Sequence, residues 1–82
     1  MLLEGDRVTV GRLADCAIRL ADANASREHA AFIRDGSGWA IKDLDSTNGT
    51  LLNGDPVQWA PLHDGDVVEI GLTRLTFHMR GR

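Results

Sequence analysis

The chain has 82 residues, a net charge of −3 at pH 7, 43% hydrophobic residues and 26% charged residues. This length suits one domain with one core, and the composition is that of an ordinary soluble domain, which argues against disorder and membrane insertion. The charge lacks the positive bias that duplex nucleic acid usually selects, so nucleic-acid binding is not predicted.

Short stretches in which apolar and polar residues alternate, the period of a β-strand, recur along the chain. In chain order the predicted strands are Arg7–Val10, Ala30–Ile33, Trp39–Leu44, Val67–Ile70 and Leu75–Met79. The predicted core residues are Phe32, Ile33, Trp39 and Ile41. Residues 24–31 are compatible with a helical turn capped by Ser26 or with a loop that leads into a strand.

Turn-forming pairs separate these strands at short intervals. The pairs Asn48-Gly49, Asn53-Gly54 and Asp64-Gly65 suit type I′ turns, in which both central residues have positive φ. Residues 35–38 provide a further glycine-containing turn. Many short strands joined by frequent turns predict an all-β fold, either a sandwich or a barrel.

Gly11-Arg12 directly follows the first predicted strand. An arginine at a strand end can lie at the rim of a sandwich, where its planar guanidinium suits a bidentate contact with phosphate or carboxylate. A solvated surface arginine is the simpler explanation of this pair. On its own the pair therefore does not predict a binding site.

The run Ser26-Arg27-Glu28-His29 allows two functional interpretations. Ser26 and His29 could act as nucleophile and base, but a catalytic serine also needs a sharp elbow and an oxyanion hole, and no G-x-S-x-G elbow is present. Alternatively, Ser26 and Arg27 donate hydrogen bonds to an anion while a buried His29 holds the loop. The second interpretation needs neither an elbow nor an oxyanion hole, so it is the simpler one.

The polar stretch from Asp43 to Gly54 contains two Asn-Gly pairs. Asp43 and Asp45 have the spacing of two EF-hand ligands, but Asn48 and Gly54 stand where that loop needs glycine and glutamate, so calcium is not predicted. Tight turns explain the Asn-Gly pairs and leave Ser46 and Thr47 unexplained. The histidines and the single cysteine are dispersed and no phosphate-binding glycine loop occurs, so no metal or cofactor is predicted.

Together these runs place anion donors on three loops, which converge at one end of a sandwich. The chain resembles the forkhead-associated (FHA) domain family, whose pattern reads Gly-Arg, Ser-Arg-x-His, Ser-x-Asn-Gly-Thr and Asn-Gly. The residues that match this pattern, in the same order and at the same spacing, are Gly11-Arg12, Ser26–His29, Ser46–Thr50 and Asn53-Gly54. Residues 62–71 also resemble a late segment of the family, and the likeness extends over residues 8–79.

The resemblance implies a β-sandwich of about eleven short, mostly antiparallel strands whose loops at one end bind phosphothreonine peptides. It assigns phosphothreonine contacts to Arg12, Ser26, Arg27 and Thr47, and a peptide-backbone hydrogen bond to Asn48. It gives loop-structuring roles to Gly11, His29 and Gly49. The expected unit is a single domain over residues 1–82. Because only residues 1–6 precede Arg7, its first strand is expected to be short, missing or supplied by a larger parent protein.

The expected function is that of a non-enzymatic, monomeric module that recognises a phosphothreonine-containing partner, such as a Ser/Thr kinase or its substrate, in bacterial signalling. The alternative is a phospho-independent FHA interaction module in a larger assembly. Cys16 has no partner for an internal disulfide, which favours a reducing cytoplasm. Asn24 stands where some members carry a basic residue that reads an acidic side chain three residues after the phosphothreonine, so that preference is not expected.

Overall fold

The structure is a computed structural model, and it describes residues 5–78. Nine β-strands occur in this range: β1 Arg7–Gly11, β2 Ile18–Arg19, β3 Ala30–Asp35, β4 Gly38–Asp43, β5 Thr50–Leu52, β6 Asp55–Val57, β7 Trp59–Leu62, β8 Val67–Ile70 and β9 Thr73–Thr76. No helix is formed within residues 5–78. Accordingly, no described helix is long and apolar enough to cross a membrane.

The strands form two sheets, one in the order β2-β1-β3-β4-β7 and the other in the order β6-β5-β8-β9. Neighbouring strands are antiparallel, apart from β2, which runs parallel to the end of β1. Residues 12–17 join that parallel pair and form a loop beyond the end of β1. The all-β sandwich predicted from the sequence is confirmed.

The core lies between the two sheets, because alternate side chains of each strand point inward. In β3, Phe32 is fully buried while Ile33 is half-buried on the outer face. The fully buried Phe77 follows β9 and packs in the same cluster as Val68 and Ile70 of β8. Full burial of one such side chain contributes about 1.5–3 kcal/mol. Of the four predicted core residues, Ile33 was therefore assigned to the wrong face.

Three tight hairpins connect neighbouring strands. Asn53 and Gly54 both have positive φ and join β5 to β6, as a type I′ turn requires. In the pairs Asn48-Gly49 and Asp64-Gly65 the glycine alone has positive φ, so the type I′ expectation was wrong for them. The β3–β4 and β8–β9 hairpins each have two-residue loops that begin with a positive-φ glycine.

Other expectations need correction. Residues 5–78 contain nine strands rather than about eleven. Residues 1–4, where a short first strand was expected, lie outside the described residues, as does Met79. The last predicted strand begins earlier, at Thr73. Residues 24–31 form a turn and then enter β3, without a helix.

Candidate functional site

The strand register gathers three loops at one end of the sandwich. Val10 pairs with Ala30, and Ala30 pairs with Asp43, so the end of β1, the start of β3 and the end of β4 lie side by side. The loops that adjoin these ends are residues 12–17, 20–29 and 44–49. They contain all the residues that the sequence assigned to the site, apart from Gly11 at the end of β1.

Gly11 allows the first loop to lie directly against the second. The backbone N–H of Arg12 donates to Ser26 O at 3.2 Å, and that of Leu13 donates to Arg27 O at 3.2 Å. A Cβ atom at Gly11 would lie 2.8 Å from the carbonyl carbon of Arg27 and would overlap its oxygen. Because backbone atoms cannot yield as a flexible side chain can, this position requires glycine.

The guanidinium of Arg12 is anchored through one nitrogen. Arg12 Nε donates to the carbonyl oxygen of Ala25 at 2.6 Å. Within residues 5–78 its terminal NH2 groups have no hydrogen-bond partner, and the side chain is exposed. A guanidinium fixed in this way loses less conformational freedom when its remaining donors bind an anion.

Ser26 and His29 lock the second loop to the third. The N–H of Ser26 donates to His29 Nδ1 at 2.9 Å, and the N–H of Thr47 donates to Ser26 Oγ at 3.0 Å. His29 is fully buried, and its Nε2 lies 2.7 Å from the carbonyl oxygen of Gly49. The hydrogen bonds therefore hold both loops at fixed positions around Ser26.

The partners of His29 also assign its tautomer. Nδ1 accepts a hydrogen bond from an N–H group, so it carries no proton, and Nε2 must then donate to Gly49 O. Both ring nitrogens are thus engaged with backbone groups. Since neither nitrogen is available to take the hydroxyl proton of Ser26, this geometry does not support the nucleophile–base interpretation.

Asp43 shapes the third loop from its buried position at the end of β4. Its carboxylate accepts hydrogen bonds from Ser46 Oγ, from Ser46 N at 3.1 Å and from Thr50 Oγ1 at 2.7 Å. Ser46 Oγ also accepts from Gly49 N at 2.9 Å, and Gly49 takes a φ of 85°. Burial raises the pKa of Asp43, but the hydrogen bonds from Ser46 and Thr50 outweigh it and hold the pKa below its ordinary value of 3.8.

The lowered pKa of Asp43 predicts acid sensitivity of the folded state. Because the folded pKa lies below the unfolded one, the stability from the carboxylate is present above about pH 4 and is lost as pH falls through the folded pKa. We expect the free energy of unfolding in urea to fall from pH 5 to pH 3 in the natural chain, and to fall less steeply in Asp43→Asn. Thr50→Val, which removes one donor, should give an intermediate slope. Equal slopes in all three proteins would contradict this role.

Asn48 faces a second hydrogen-bonded cluster on the other side of the third loop. Its Nδ2 donates to Asn24 O at 2.9 Å. Asp22 accepts from Asn24 N at 2.9 Å, from Leu72 N at 2.8 Å and from Thr73 Oγ1 at 2.7 Å. The hydrogen bond from Thr73, followed by that from Asn24, lowers the pKa of Asp22, which stays ionised near neutral pH. The β8–β9 loop is thereby fixed to the same end of the sandwich.

An open cleft of about 490 Å³ lies where the three loops meet. It is lined by Arg12, Leu13, Ser26, Arg27, Glu28, Asp45 and Thr47. All four residues predicted to contact phosphothreonine therefore line one cleft. Asn48 is exposed and lies outside this lining set, beside Asn24.

Sequence reasoning missed three residues that line the cleft, and it missed Asp22, which fixes the β8–β9 loop. Leu13, Glu28 and Asp45 line the cleft but belong to none of the predicted contacts. Asp22 was missed because two of its partners lie 50 and 51 residues further along the chain. The short spacing of Asp22 and Asn24, typical of an Asx turn, was the one local signal for that anchor.

A two-sheet sandwich with arginines and hydroxyl groups on converging loops has the donors that an anion-binding site needs. This chain belongs to the FHA domain family, whose family model matches residues 8–71. The resemblance predicted from the sequence motifs is therefore confirmed. FHA domains are binding modules rather than enzymes.

Known proteins similar to this chain include bacterial regulators. The glycogen accumulation regulator GarA of Mycolicibacterium smegmatis is 42% identical over 76 residues, which cover 93% of this chain and 48% of the relative. An oxoglutarate dehydrogenase inhibitor of Corynebacterium jeikeium is 40% identical over 76 residues, with 93% and 53% covered. The chain thus spans about half the length of these curated relatives.

Among solved structures, one described as showing phosphothreonine-dependent FHA domain interactions is 38% identical to this chain. The TM-score is 0.92, and the alignment covers 98% of this chain and 83% of the other.

Proposed function

We propose that this domain binds phosphothreonine-containing peptides or proteins in Ser/Thr kinase signalling, without catalysing a reaction. The observation that carries the proposal is the cleft in which two arginines and two hydroxyl residues converge, with Arg12 anchored through Nε. A phosphothreonine brings about −1.5 to −2 charges and three strong acceptor oxygens. The donors of this cleft meet both requirements.

In this proposal each group has its own role. Arg12, Ser26 and Arg27 donate to the phosphate oxygens, and Thr47 contacts the phosphate or the peptide beside it. The amide of Asn48 donates to Asn24 O, which leaves its Oδ1 as an acceptor for a peptide N–H. Gly11, His29 and Gly49 hold the loops in place.

The wider assignment rests on the relatives. GarA is named for the regulation of glycogen accumulation and the corynebacterial relative for inhibition of an enzyme, so we propose that this chain supplies the phosphothreonine-reading domain of a comparable regulator. Residues 1–82 form that single domain in the proposal, and its partner is a Ser/Thr kinase or a kinase substrate. The free, buried thiol of Cys16 is compatible with a cytoplasmic location.

A paired titration tests the function. A phosphothreonine peptide library with randomised flanking positions is first used to select a binding sequence. That sequence is then synthesised with phosphothreonine and with threonine, and both peptides are titrated by isothermal calorimetry. We expect the phosphorylated peptide to bind at least 30-fold more tightly, because charge-assisted hydrogen bonds contribute roughly 1.5–3 kcal/mol each. Equal affinities would instead favour the phospho-independent module.

A further inference from the structure

The binding cleft carries two carboxylates beside its two arginines. Glu28 follows Arg27 directly, and Asp45 precedes Ser46 in the third loop. Both line the cleft that contains Arg12, and both side chains are exposed. Neither acid serves the phosphate itself, because a carboxylate repels it.

Neither carboxylate is used within the described fold. Among residues 5–78, the side chains of Glu28 and Asp45 make no hydrogen bond or ion pair, and the guanidinium of Arg27 makes none either. By contrast, Asp22, Asp43 and Asp66 each accept several hydrogen bonds that hold loops in place. The two cleft acids therefore remain available to a ligand.

The net charge of the cleft goes from about zero to negative when a phosphate is bound. Arg12 and Arg27 supply two positive charges, and Glu28 and Asp45 supply two negative ones. A bound phosphothreonine adds about −1.5 to −2. The arginines are then neutralised by the phosphate, and the uncompensated charge is that of the two carboxylates, which attracts a cation on the same peptide.

Asp45 holds its carboxylate at the cleft in an uncommon backbone conformation. Its φ is 55°, in the left-handed region that residues other than glycine, asparagine and aspartate rarely adopt. Asparagine tolerates the same region, so Asp45→Asn removes the charge while the loop conformation is kept. This provides a conservative variant for a test.

We propose that Glu28 and Asp45 select phosphothreonine peptides that carry a lysine or arginine near the phosphorylated residue. The proposal rests on the phosphothreonine function proposed above and specifies its ligand class. Glu28 and Asp45 are specificity-determining residues in it, since they contact the flanking side chain and leave the phosphate to the arginines. A peptide with an acidic residue at the same position meets repulsion from both carboxylates.

The test is a lysine scan of one phosphothreonine peptide. Starting from a sequence with alanine at the three positions on each side of the phosphothreonine, single lysines and single glutamates are placed at each position. Affinities for the whole chain are measured by fluorescence anisotropy at low and high salt. At one or more positions we expect lysine to tighten binding about three- to five-fold over alanine, and glutamate to weaken it. A solvent-exposed charge pair changes affinity by up to about five-fold, and the lysine faces two carboxylates here.

Substitutions at Glu28 and Asp45 test whether the preference for lysine depends on these two carboxylates. Glu28→Gln and Asp45→Asn should each reduce the lysine preference, and the double variant should abolish it, while Asp35→Asn at the far end of β3 should retain it. High salt should weaken the preference in the natural chain. A lysine preference that persists in the double variant, or its absence in the natural chain, overturns the proposal.

The same experiment separates failure of the inference from failure of the function. Every peptide is also measured with unmodified threonine. If phosphorylation strengthens binding but lysine has no effect, the role of Glu28 and Asp45 is wrong and the phosphothreonine function stands. If lysine peptides bind equally with and without phosphate, the function itself is wrong, and with it the proposal built on it.

Discussion

Replacing Arg12 by alanine is expected to weaken binding of a selected phosphothreonine peptide by roughly 30-fold or more. Removal of one partner from a hydrogen-bonded charge pair costs about 2–5 kcal/mol, and each 1.4 kcal/mol corresponds to a tenfold change in affinity. Of the two arginines that line the cleft, Arg12 is the one whose guanidinium is anchored, through the hydrogen bond of Nε to Ala25 O. Calorimetric titration of the natural chain and the variant with the same peptide measures the effect.

Two further variants distinguish charge from geometry. Arg12→Lys retains the positive charge but lacks the planar fork, so it should bind with intermediate affinity. Arg74→Ala serves as a matched control, because Arg74 is an exposed arginine of β9 that pairs with Glu69 outside the cleft. Natural affinity in Arg12→Ala, with an unchanged melting temperature, would show that Arg12 does not contact the phosphate.

His29→Ala is expected to lower the free energy of unfolding by about 3 kcal/mol or more. The variant would leave the N–H of Ser26 and the carbonyl of Gly49 without their partners, and each unsatisfied buried group costs about 1–3 kcal/mol. The space of the imidazole adds a cavity. Total stabilities of about 5–15 kcal/mol are typical of small domains, so the loss would be a large fraction. Urea denaturation followed by tryptophan fluorescence measures it.

The control for His29 is another histidine of the same chain. His63 is mostly exposed, and its ring lies 3.7 Å from Asp66. Its replacement by alanine should change stability by no more than about 0.5 kcal/mol. If His29→Ala were as stable as His63→Ala, the hydrogen bonds between the second and third loops would not contribute to stability as described.

The alternating pattern predicted the longer strands and missed the short ones. It located β1, β3, β4 and β8 to within two residues, because several consecutive residues there alternate between the core and the outer face. Strands β2, β5 and β6 have two or three residues, too few for a period to be detected. In β6 and β7, Pro56 and Pro61 additionally argue against a strand, yet both strands lie at sheet edges, where proline is tolerated.

Most of the residues that line the cleft could be predicted from motifs, but Leu13, Glu28 and Asp45 could not. Arg12, Ser26 and Thr47 belong to runs that are recognisable in the sequence, and all of them line the cleft. Glu28 occupies the variable position of its motif, and Asp45 lies just before the next motif, so no local pattern distinguishes them. Their place at the cleft depends on how three loops pack, and long-range contacts of that kind leave no periodic signal in a chain.

The hydrogen bonds of Asp22 have a consequence for synthesis of the chain. Asp22 fixes the second loop through Leu72 and Thr73, which emerge from a ribosome some fifty residues later. Until then Asp22 lacks two of its three hydrogen-bond partners, and β8 has no β9 to pair with. A nascent chain shorter than about 73 residues therefore carries the Arg12 and Ser26 motifs before the second loop is joined to the β8–β9 loop.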